Sequence, residues 1–348
     1  MSRPGLVLHI GTGKTGTSSI QQFLRINRPR LARRAILYPH APGRARHTQL
    51  GFFVKTEAEL ARIVEWTRAG HGDLDAFRAD FERRLTTEIS EAAPKRVIMS
   101  DEALYSLSDE ALLRLRSLAE RIADRVRVIV YLRRQDDHLV SRYQQAVKTG
   151  ATETLAEFAR LDHTPTYDYA ARLTTWQQVV RPDQLVVRRF EPSRFGAGGL
   201  YQDFLDAAAI KAPLDRFKPV ESQNESLDAE AVELLRILNL YRVEHEGAVA
   251  GVINNRPLFT RLGADGPTLT LADDEFTRFM GQWTATNRQV AATYFAGDEL
   301  FGPRRASRST TTDQRLDPAR LDHYFELLEI PAEQQAAVRA IAEREAAR

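Results

Sequence analysis

Short apolar runs alternate with helical patterns along roughly the first 200 residues of the chain. Four runs, at 6–10, 96–100, 126–132 and 185–190, are apolar and only a few residues long, which is typical of buried strands. Stretches with apolar residues at helical spacing lie between these runs. Strands that alternate with helices predict an α/β fold in which helices flank a central parallel β-sheet on both faces.

Several of the predicted helices carry terminal signals. One helix opens near Thr17, and a second runs from Ser108, which can cap it, to residue 124. A third helix spans 136–148 and a fourth spans 167–180. Helical spacing continues in the last third of the chain, at 231–241 and 321–328.

Beyond about residue 200 the pattern is mainly helical, with two loop-like stretches at 247–270 and 302–316. No internal repeat is visible. We therefore predict one domain over residues 1–348, with a cofactor-binding α/β core at 1–210 and a mainly helical C-terminal part at 211–348.

Composition limits the classes of partner. The 348 residues carry 49 basic and 47 acidic side chains, a net charge of +2, so nucleic acid is not an expected partner and anion binding must arise from local charge. The chain has no cysteine, and its eight histidines show no metal-ligand spacing. No apolar run is long enough to span a bilayer or to serve as a signal-peptide core, so we expect a cytoplasmic protein without an integral membrane segment.

A glycine-rich and hydroxyl-rich turn, GTGKTGTSS at 11–19, follows the first predicted strand and precedes the first predicted helix. Strand, glycine turn and helix form the layout of a phosphate-binding loop, which makes the predicted sheet P-loop-type. Glycines let backbone N–H groups converge on an oxyanion, the helix start adds partial positive charge, and Lys14 adds a full charge. We call residues 11–19 the phosphate loop.

The phosphate loop departs from the pattern of nucleoside triphosphatases. A Walker A loop reads G-x-x-x-x-G-K-S/T, and Lys14 and Thr15 fit its end. The first glycine of that pattern would fall at position 8, which is Leu8. A P-loop kinase or NTPase that uses ATP and Mg²⁺ therefore stays an alternative, in which Asp101 would bind the metal and Glu102 would activate water.

The string KTGTSS at 14–19 instead resembles the 5′-phosphosulfate loop of sulfotransferases that use 3′-phosphoadenosine 5′-phosphosulfate (PAPS). The wider string HIGTGKTGTSSIQ is similar to the version in bacterial members related to carbohydrate sulfotransferases. The resemblance implies a sulfotransferase with PAPS as sulfuryl donor, 3′,5′-ADP as product and no metal. It implies that the 5′-phosphosulfate is held by Lys14, Thr15, Gly16, Thr17 and Ser18.

The resemblance also implies a site for the 3′-phosphate of PAPS. These enzymes hold it with an arginine at a strand end and a serine eight residues later, a spacing that Arg133 and Ser141 have. An arginine offers a planar fork to phosphate, and a serine two turns into the next helix can donate its hydroxyl proton. Arg134 is the rival for Arg133.

A sulfuryl acceptor needs a base to take its hydroxyl proton. Carbohydrate sulfotransferases often use a glutamate in the region where strand 96–100 ends, so the resemblance implies that Glu102 is catalytic together with Lys14. Asp101 is the rival base. His47 is the next candidate for the base, although a lone loop histidine is usually exposed. His9 lies inside the first strand and is expected to be a core residue.

The resemblance runs from about residue 5 to 301 and is dense at 7–24 and 97–145. Weaker similarity lies at 224–227, 239–241, 294–295 and 300–301. Ser19 stands where cytosolic small-molecule sulfotransferases carry tryptophan, and no late R-K-G-x-x-G segment is present. These departures disfavour a phenol or steroid acceptor.

A saccharide or glycoconjugate hydroxyl is the acceptor that the resemblance implies, while lipid-linked sugars, small metabolites and peptides stay open as acceptors. We expect at least one of the polar loops 40–50, 247–270 and 302–316 to border the acceptor cleft. A non-catalytic nucleotide-binding protein of the same fold is a further alternative.

Overall fold

The computed structural model describes residues 2–220, 227–263, 266–304 and 310–347. The chain has an α/β fold in which helices flank an all-parallel, five-stranded central sheet, as the alternating pattern predicts. The strand order is β2-β3-β1-β4-β5, with β1 at Gly5–His9, β2 at Ile36–Leu37, β3 at Arg96–Ser100, β4 at Arg125–Leu132 and β5 at Gln184–Arg189. A second, two-stranded parallel sheet pairs β6 (Thr268–Leu269) with β7 (Thr310–Thr311).

The helices, in chain order, are α1 (Thr17–Ile26), α2 (Arg28–Ala32), α3 (Thr48–Val54), α4 (Glu57–Leu60), α5 (Val64–Ala69), α6 (Leu74–Ala92), α7 (Asp109–Ile122), α8 (Gln135–Lys148), α9 (Leu155–Ala159), α10 (Thr164–Tyr167), α11 (Tyr169–Thr175), α12 (Gly199–Ala207), α13 (Ala229–Glu246), α14 (Arg256–Phe259), α15 (Asp273–Gly281), α16 (Thr284–Tyr294), α17 (Leu321–Leu328) and α18 (Ala332–Ala346). Short 3-10 turns lie at Glu102–Leu104, Pro192–Arg194, Leu214–Arg216 and Pro318–Arg320, and a π-helical turn follows α11 at Trp176–Val180.

The chain packs as two compact units, each built from three segments. The first unit takes the described residues of 1–133, 168–222 and 286–301 and contains the whole central sheet. The second unit takes those of 134–167, 223–285 and 302–348 and is mainly helical. The expectation of a single domain that changes character near residue 210 stays a prediction.

Strand β1 lies at the centre of the sheet because it is apolar on both faces. Val7 packs with Ile20 and Phe23 of α1 and with Phe204 of α12, while the alternating residue Leu8 is fully buried on the other side. Parallel strands covered on both faces are apolar without interruption, which explains why this strand was predicted to within one residue.

The second unit has its own apolar core, in which residues of α13, α17 and α18 pack together. A buried ion network lies beside it. The guanidinium of Arg236 donates to the Glu233 carboxylate at 2.6 and 2.8 Å, to Glu345 at 3.1 Å and to the carbonyl oxygen of Thr152 at 3.0 Å. The side chains of this ion triad are only 2–3% exposed. The arginine therefore compensates two carboxylates that water does not reach.

Within the described residues, no helix is both long and apolar enough to cross a bilayer.

Replacing Arg236 by methionine should destabilise the protein strongly. The substitution keeps the apolar stem but leaves the buried Glu233 carboxylate without its cation, and it leaves Glu345 with only the partly exposed Arg344; breaking a buried ion pair costs about 3–5 kcal/mol in comparable cases. Arg261→Gln is the matched control, because Arg261 pairs with Glu329 on the surface, with side chains 40% and 75% exposed. The control should cost less than about 1 kcal/mol. Urea-induced unfolding gives the free energy of unfolding of both variants. Similar losses of stability in Arg236→Met and Arg261→Gln would contradict the buried ion triad.

Candidate functional site

The phosphate loop connects β1 to α1 and depends on a left-handed residue at the helix start. Gly16 is the N-cap of α1 with φ 76°, and a Cβ there would lie 2.4 Å from Cδ2 of Leu200 and 3.2 Å from Cε2 of Phe190. Only glycine fits both the conformation and the space. No side chain caps the helix, and the N–H groups of its first turn have no intrahelical acceptor. The loop therefore ends at a helix terminus suited to an anion.

Hydroxyl groups of the phosphate loop are used to hold its own backbone. Thr15 and Thr17 are buried, and their hydroxyls donate to the carbonyl oxygen of Thr12 at 2.6 and 3.1 Å. The N–H of Thr12 donates to the carbonyl oxygen of Tyr131 in β4 at 3.1 Å. The two threonine hydroxyls therefore donate their protons to the loop backbone, whereas Ser18 is exposed.

The structure brings Arg133 to the phosphate loop. Its Nη1 donates to the carbonyl oxygen of Lys14 at 3.0 Å, and its guanidinium carbon lies 5.9 Å from the ring centroid of Phe190. The hydroxyl of Tyr169 donates to the carbonyl oxygen of Arg133 at 2.7 Å. Lys14 itself has φ 59°, a left-handed conformation that is rare outside glycine. Two cationic residues, one on the loop and one at the end of β4, therefore meet at one edge of the sheet.

Arg134, the rival of Arg133, is engaged elsewhere. Its guanidinium forms a fork with the carboxylate of Asp136, at 2.6 and 3.0 Å, and so ties the start of α8 together. Ser141 is half-buried on α8, and it belongs to the second unit. The pairing of Arg133 with Ser141 around a 3′-phosphate stays a prediction.

Glu102 lies opposite the phosphate loop. It opens the 3-10 turn that follows β3, and it is exposed. A Cβ on Gly13 would be 3.9 Å from Oε2 of Glu102, the one contact within 4 Å among the described residues apart from its chain neighbours, and a Cβ on Gly11 would be 3.3 Å from Cβ of Glu102. The open face of Gly13 therefore looks towards a carboxylate. The sheet register sets this approach, because His9 at the end of β1 pairs with Ser100 at the end of β3.

Asp101 has a structural environment although it precedes Glu102 directly. Its side chain is buried, Oδ1 accepts the N–H of Ala103 at 3.0 Å, and Oδ2 accepts the N–H of Gly51 in α3 at 3.0 Å. Burial raises the pKa of the Asp101 carboxyl to about 6. Both oxygens are thus used to cap a turn and to anchor α3, which disfavours Asp101 as a base or a metal ligand.

The two histidines near β3 are core residues. His47 is fully buried, so the expectation that this loop residue is exposed was wrong. Its Nδ1 accepts the N–H of Ser100 at 3.2 Å, and its Nε2 lies 3.0 Å from the carbonyl oxygen of Pro39, to which it donates. His9 is buried as expected, with Nδ1 at 2.8 Å from Oγ of Ser100. Desolvation lowers the pKa of each imidazole to about 3.

The expectation that a polar loop borders the acceptor cleft stays a prediction. The segment 40–50 leads into α3, whose Gly51 donates its N–H to Asp101, the residue before Glu102. The loops 247–270 and 302–316 belong to the second unit, and parts of them, 264–265 and 305–309, lie outside the described residues. Residues 224–226 of the weaker resemblance also lie outside them.

Two residues that support the phosphate loop were missed by sequence reasoning. Phe190 directly follows β5, and Leu200 is in α12; both would contact any side chain at position 16. Phe190 could have been found, because residues at the carboxyl ends of parallel strands share one edge of the sheet. Leu200 carries no comparable signal, since its place depends on how α12 packs.

The fold and the site define an α/β protein whose glycine-rich loop, residues 11–19, leaves the carboxyl edge of a parallel sheet. No protein-family model matches the chain, and no solved structure matches it. A relative from Archaeoglobus fulgidus, described as an uncharacterized protein, is 31% identical over 144 residues. The match covers 41% of this chain and 38% of the relative, so the chain spans well under half of that protein's length.

Acid should destabilise the fold through the two buried histidines. Their pKa values, about 3 in the folded protein, lie below the ordinary value of 6.5, so the unfolded chain binds more protons between these limits. Their contribution to the free energy of unfolding is complete above about pH 6.5. It is lost as the pH falls, by up to about 1.4 kcal/mol per pH unit for each histidine. Asp101, with its raised pKa, opposes this slope between about pH 6 and 4.

Unfolding free energies measured by urea titration from pH 7 to 4 test this expectation. His47→Gln should show a shallower pH dependence than the parent protein, by about one proton's contribution. His323→Gln, at an exposed position, is the control for the substitution itself. Equal slopes in the parent and in His47→Gln would show that His47 is not buried in its neutral form.

Proposed function

We propose that this protein is a sulfotransferase that moves a sulfuryl group from PAPS to an acceptor hydroxyl on a carbohydrate or glycoconjugate, in the cytoplasm. The observation that carries the proposal is the convergence of three groups at one edge of the sheet. Lys14 lies on a helix-terminal phosphate loop, Arg133 donates to the backbone of that loop, and the Glu102 carboxylate faces Gly13. A cationic site opposite an exposed carboxylate suits transfer from an anionic donor to a hydroxyl.

The residues present fit a phosphosulfate donor. Gly13 offers an open face whose nearest neighbour is Oε2 of Glu102, 3.9 Å from where a Cβ would stand. The first turn of α1 supplies backbone donors without a capping side chain. Lys14, Thr15, Gly16, Thr17 and Ser18 would hold the 5′-phosphosulfate, and Arg133 with Ser141 would hold the 3′-phosphate.

Each catalytic residue has one role in the proposed reaction. PAPS supplies the sulfuryl group, whose bond to the bridging phosphate oxygen breaks as the acceptor oxygen bonds to sulfur. Glu102 takes the proton of the acceptor hydroxyl, and Lys14 neutralises the negative charge that develops on the bridging oxygen. Positioning and electrostatics carry most of the rate in such transfers, as in phosphoryl transfer.

The kinase or NTPase alternative has weaker support. That function would use Asp101 for Mg²⁺, but the two carboxylate oxygens of Asp101 already accept the N–H groups of Ala103 and Gly51. The first glycine of a Walker A loop is replaced by Leu8, which is fully buried in β1. The non-catalytic alternative keeps the nucleotide site and differs only in the absence of transfer.

The product 3′,5′-ADP should stabilise the protein more than 5′-AMP does. A ligand of the native state raises stability by about 2.7 kcal/mol at a concentration of 100 times Kd, so 3′,5′-ADP should raise Tm. 5′-AMP lacks the 3′-phosphate and should raise it much less. Thermal unfolding with each nucleotide, and with ATP and Mg²⁺, measures the difference. Equal Tm shifts from 3′,5′-ADP and 5′-AMP would show that the 3′-phosphate site is wrongly assigned. A preference for ATP with Mg²⁺ would overturn the proposal.

The neighbouring arginines provide matched controls for that measurement. Arg133→Ala should weaken 3′,5′-ADP binding by about 1.5–3 kcal/mol, the scale of a hydrogen bond to a charged group. Arg134→Ala should cost clearly less affinity, because Arg134 is engaged with Asp136. Titration calorimetry gives both values, and the reversed order would exchange the two assignments.

Substitutions of the two adjacent carboxylates should have different effects. Glu102→Gln preserves shape and removes the base, so transfer should fall by about 10²–10⁴-fold. PAPS affinity should stay nearly unchanged, because the carboxylate acts on the acceptor. Asp101→Asn removes an acceptor for a backbone N–H, so it should lower Tm while the folded enzyme keeps its kcat. Steady-state kinetics with Tm for both variants test this. If Glu102→Gln kept full sulfuryl-transfer activity and Asp101→Asn were inactive, Asp101 and not Glu102 would be the base.

A further inference from the structure

A cationic cavity lies in the first unit at the amino edge of the central sheet. It has a volume of about 290 Å³, and its charged lining residues are Arg34, Lys95, Arg96 and Lys211. Its apolar lining includes Ile36 and Ile210, both buried. We call this feature the amino-edge cavity.

The amino-edge cavity is separate from the phosphate loop. Arg96 opens β3 and pairs with Gly5 at the start of β1, whereas the phosphate loop follows His9 at the end of that strand. A strand of five residues spans about 13 Å. Active sites of parallel α/β sheets lie at the carboxyl edge, so this cavity is not needed for the proposed reaction.

The described residues that line the cavity carry only positive charge. Arg34, Lys95, Arg96 and Lys211 give it four formal positive charges, and none of the described lining residues is acidic. The whole chain carries a net charge of only +2, so this concentration is local. A cleft lined by charges of one sign focuses its field and raises the local concentration of counter-ions. The cavity therefore favours an anion.

One of these cations is fixed in place. Nη1 of Arg96 donates to the carbonyl oxygens of Ala208 and Ala209, each at 3.0 Å, just beyond the end of α12. Arg127 donates to the carbonyl oxygen of Ala207 at 3.1 Å beside it. Burial and the neighbouring charge of Arg127 lower the pKa of Arg96. An anion in the cavity would offset this repulsion between like charges.

The other three cations line the same cavity. Lys95 and Lys211 are exposed, and the guanidinium of Arg34 lies over the ring of Phe217, 5.3 Å from its centroid. Two arginines offer planar forks to oxyanions, and two lysines offer point charges. One tetrahedral oxyanion would leave part of this charge unmatched.

We propose that the amino-edge cavity binds a small molecule that carries two or more phosphate or sulfate groups. The volume of 290 Å³ lies at the small end of ligand pockets, which suits a compact polyanion rather than a large apolar ligand. The inference depends on the charges and the shape of this cavity and not on the proposed sulfotransferase activity.

Pyrophosphate is the probe, with orthophosphate as the single-group comparison. Titration calorimetry at low salt should show pyrophosphate binding at least about 10-fold more tightly than orthophosphate. Lys95→Gln combined with Lys211→Gln should weaken pyrophosphate binding by about 10-fold, because it removes two exposed cations that would pair with the ligand. The control, Arg62→Gln combined with Arg68→Gln, removes two exposed cations outside the cavity and should change affinity less than about 2-fold.

Hydrogen exchange locates the bound anion. Pyrophosphate should protect backbone amides at 34–36, 95–96 and 209–211 in the parent protein. Protection confined to 11–19 would place the anion at the phosphate loop and overturn the inference. No binding by the parent protein, or equal weakening in the two double variants, would also overturn it.

Discussion

The position of β1 between β3 and β4 is the constraint on which the candidate site depends. Parallel hydrogen bonding on both sides aligns the carboxyl ends of three strands, so that Glu102 and Arg133 approach the loop that leaves β1. The pairing with β4 extends past β1, because Tyr131 donates its N–H to the carbonyl oxygen of Gly11 and accepts the N–H of Thr12. The loop is therefore an extension of the sheet at its first residues and a helix start at its last.

The adjacent carboxylates of Asp101 and Glu102 show how the fold separates two roles within one dipeptide. Successive residues at a strand end point in different directions. Asp101 is buried and receives backbone N–H groups, while Glu102 is exposed and faces the glycines of the loop. The proposed chemical role of Glu102 is thus separate from the structural role of its neighbour, which caps the turn that Glu102 opens and anchors α3.

The sequence was informative wherever burial left a local signature. Strand 96–100 was predicted with its observed bounds, and the helix after Ser108 begins at its predicted cap, because a buried strand and an N-cap are both local patterns. Strand β2 was not predicted, because its two residues are too few to show a hydrophobic pattern. The burial of His47 was also missed, because its partners, Ser100 and Pro39, come from separate segments. The inward hydrogen bonds of the loop threonines depend on backbone geometry that composition does not specify.

The bond from Arg133 to the carbonyl oxygen of Lys14 has a consequence for how binding energy would be distributed. Lys14 occupies a left-handed conformation that few non-glycine residues adopt, and the arginine helps to hold it there before any ligand arrives. The conformational entropy of the loop is then lost during folding instead of during binding. An anion meets donors that are already ordered, so its affinity reflects the attraction itself more fully than it would on a loop that must first become ordered.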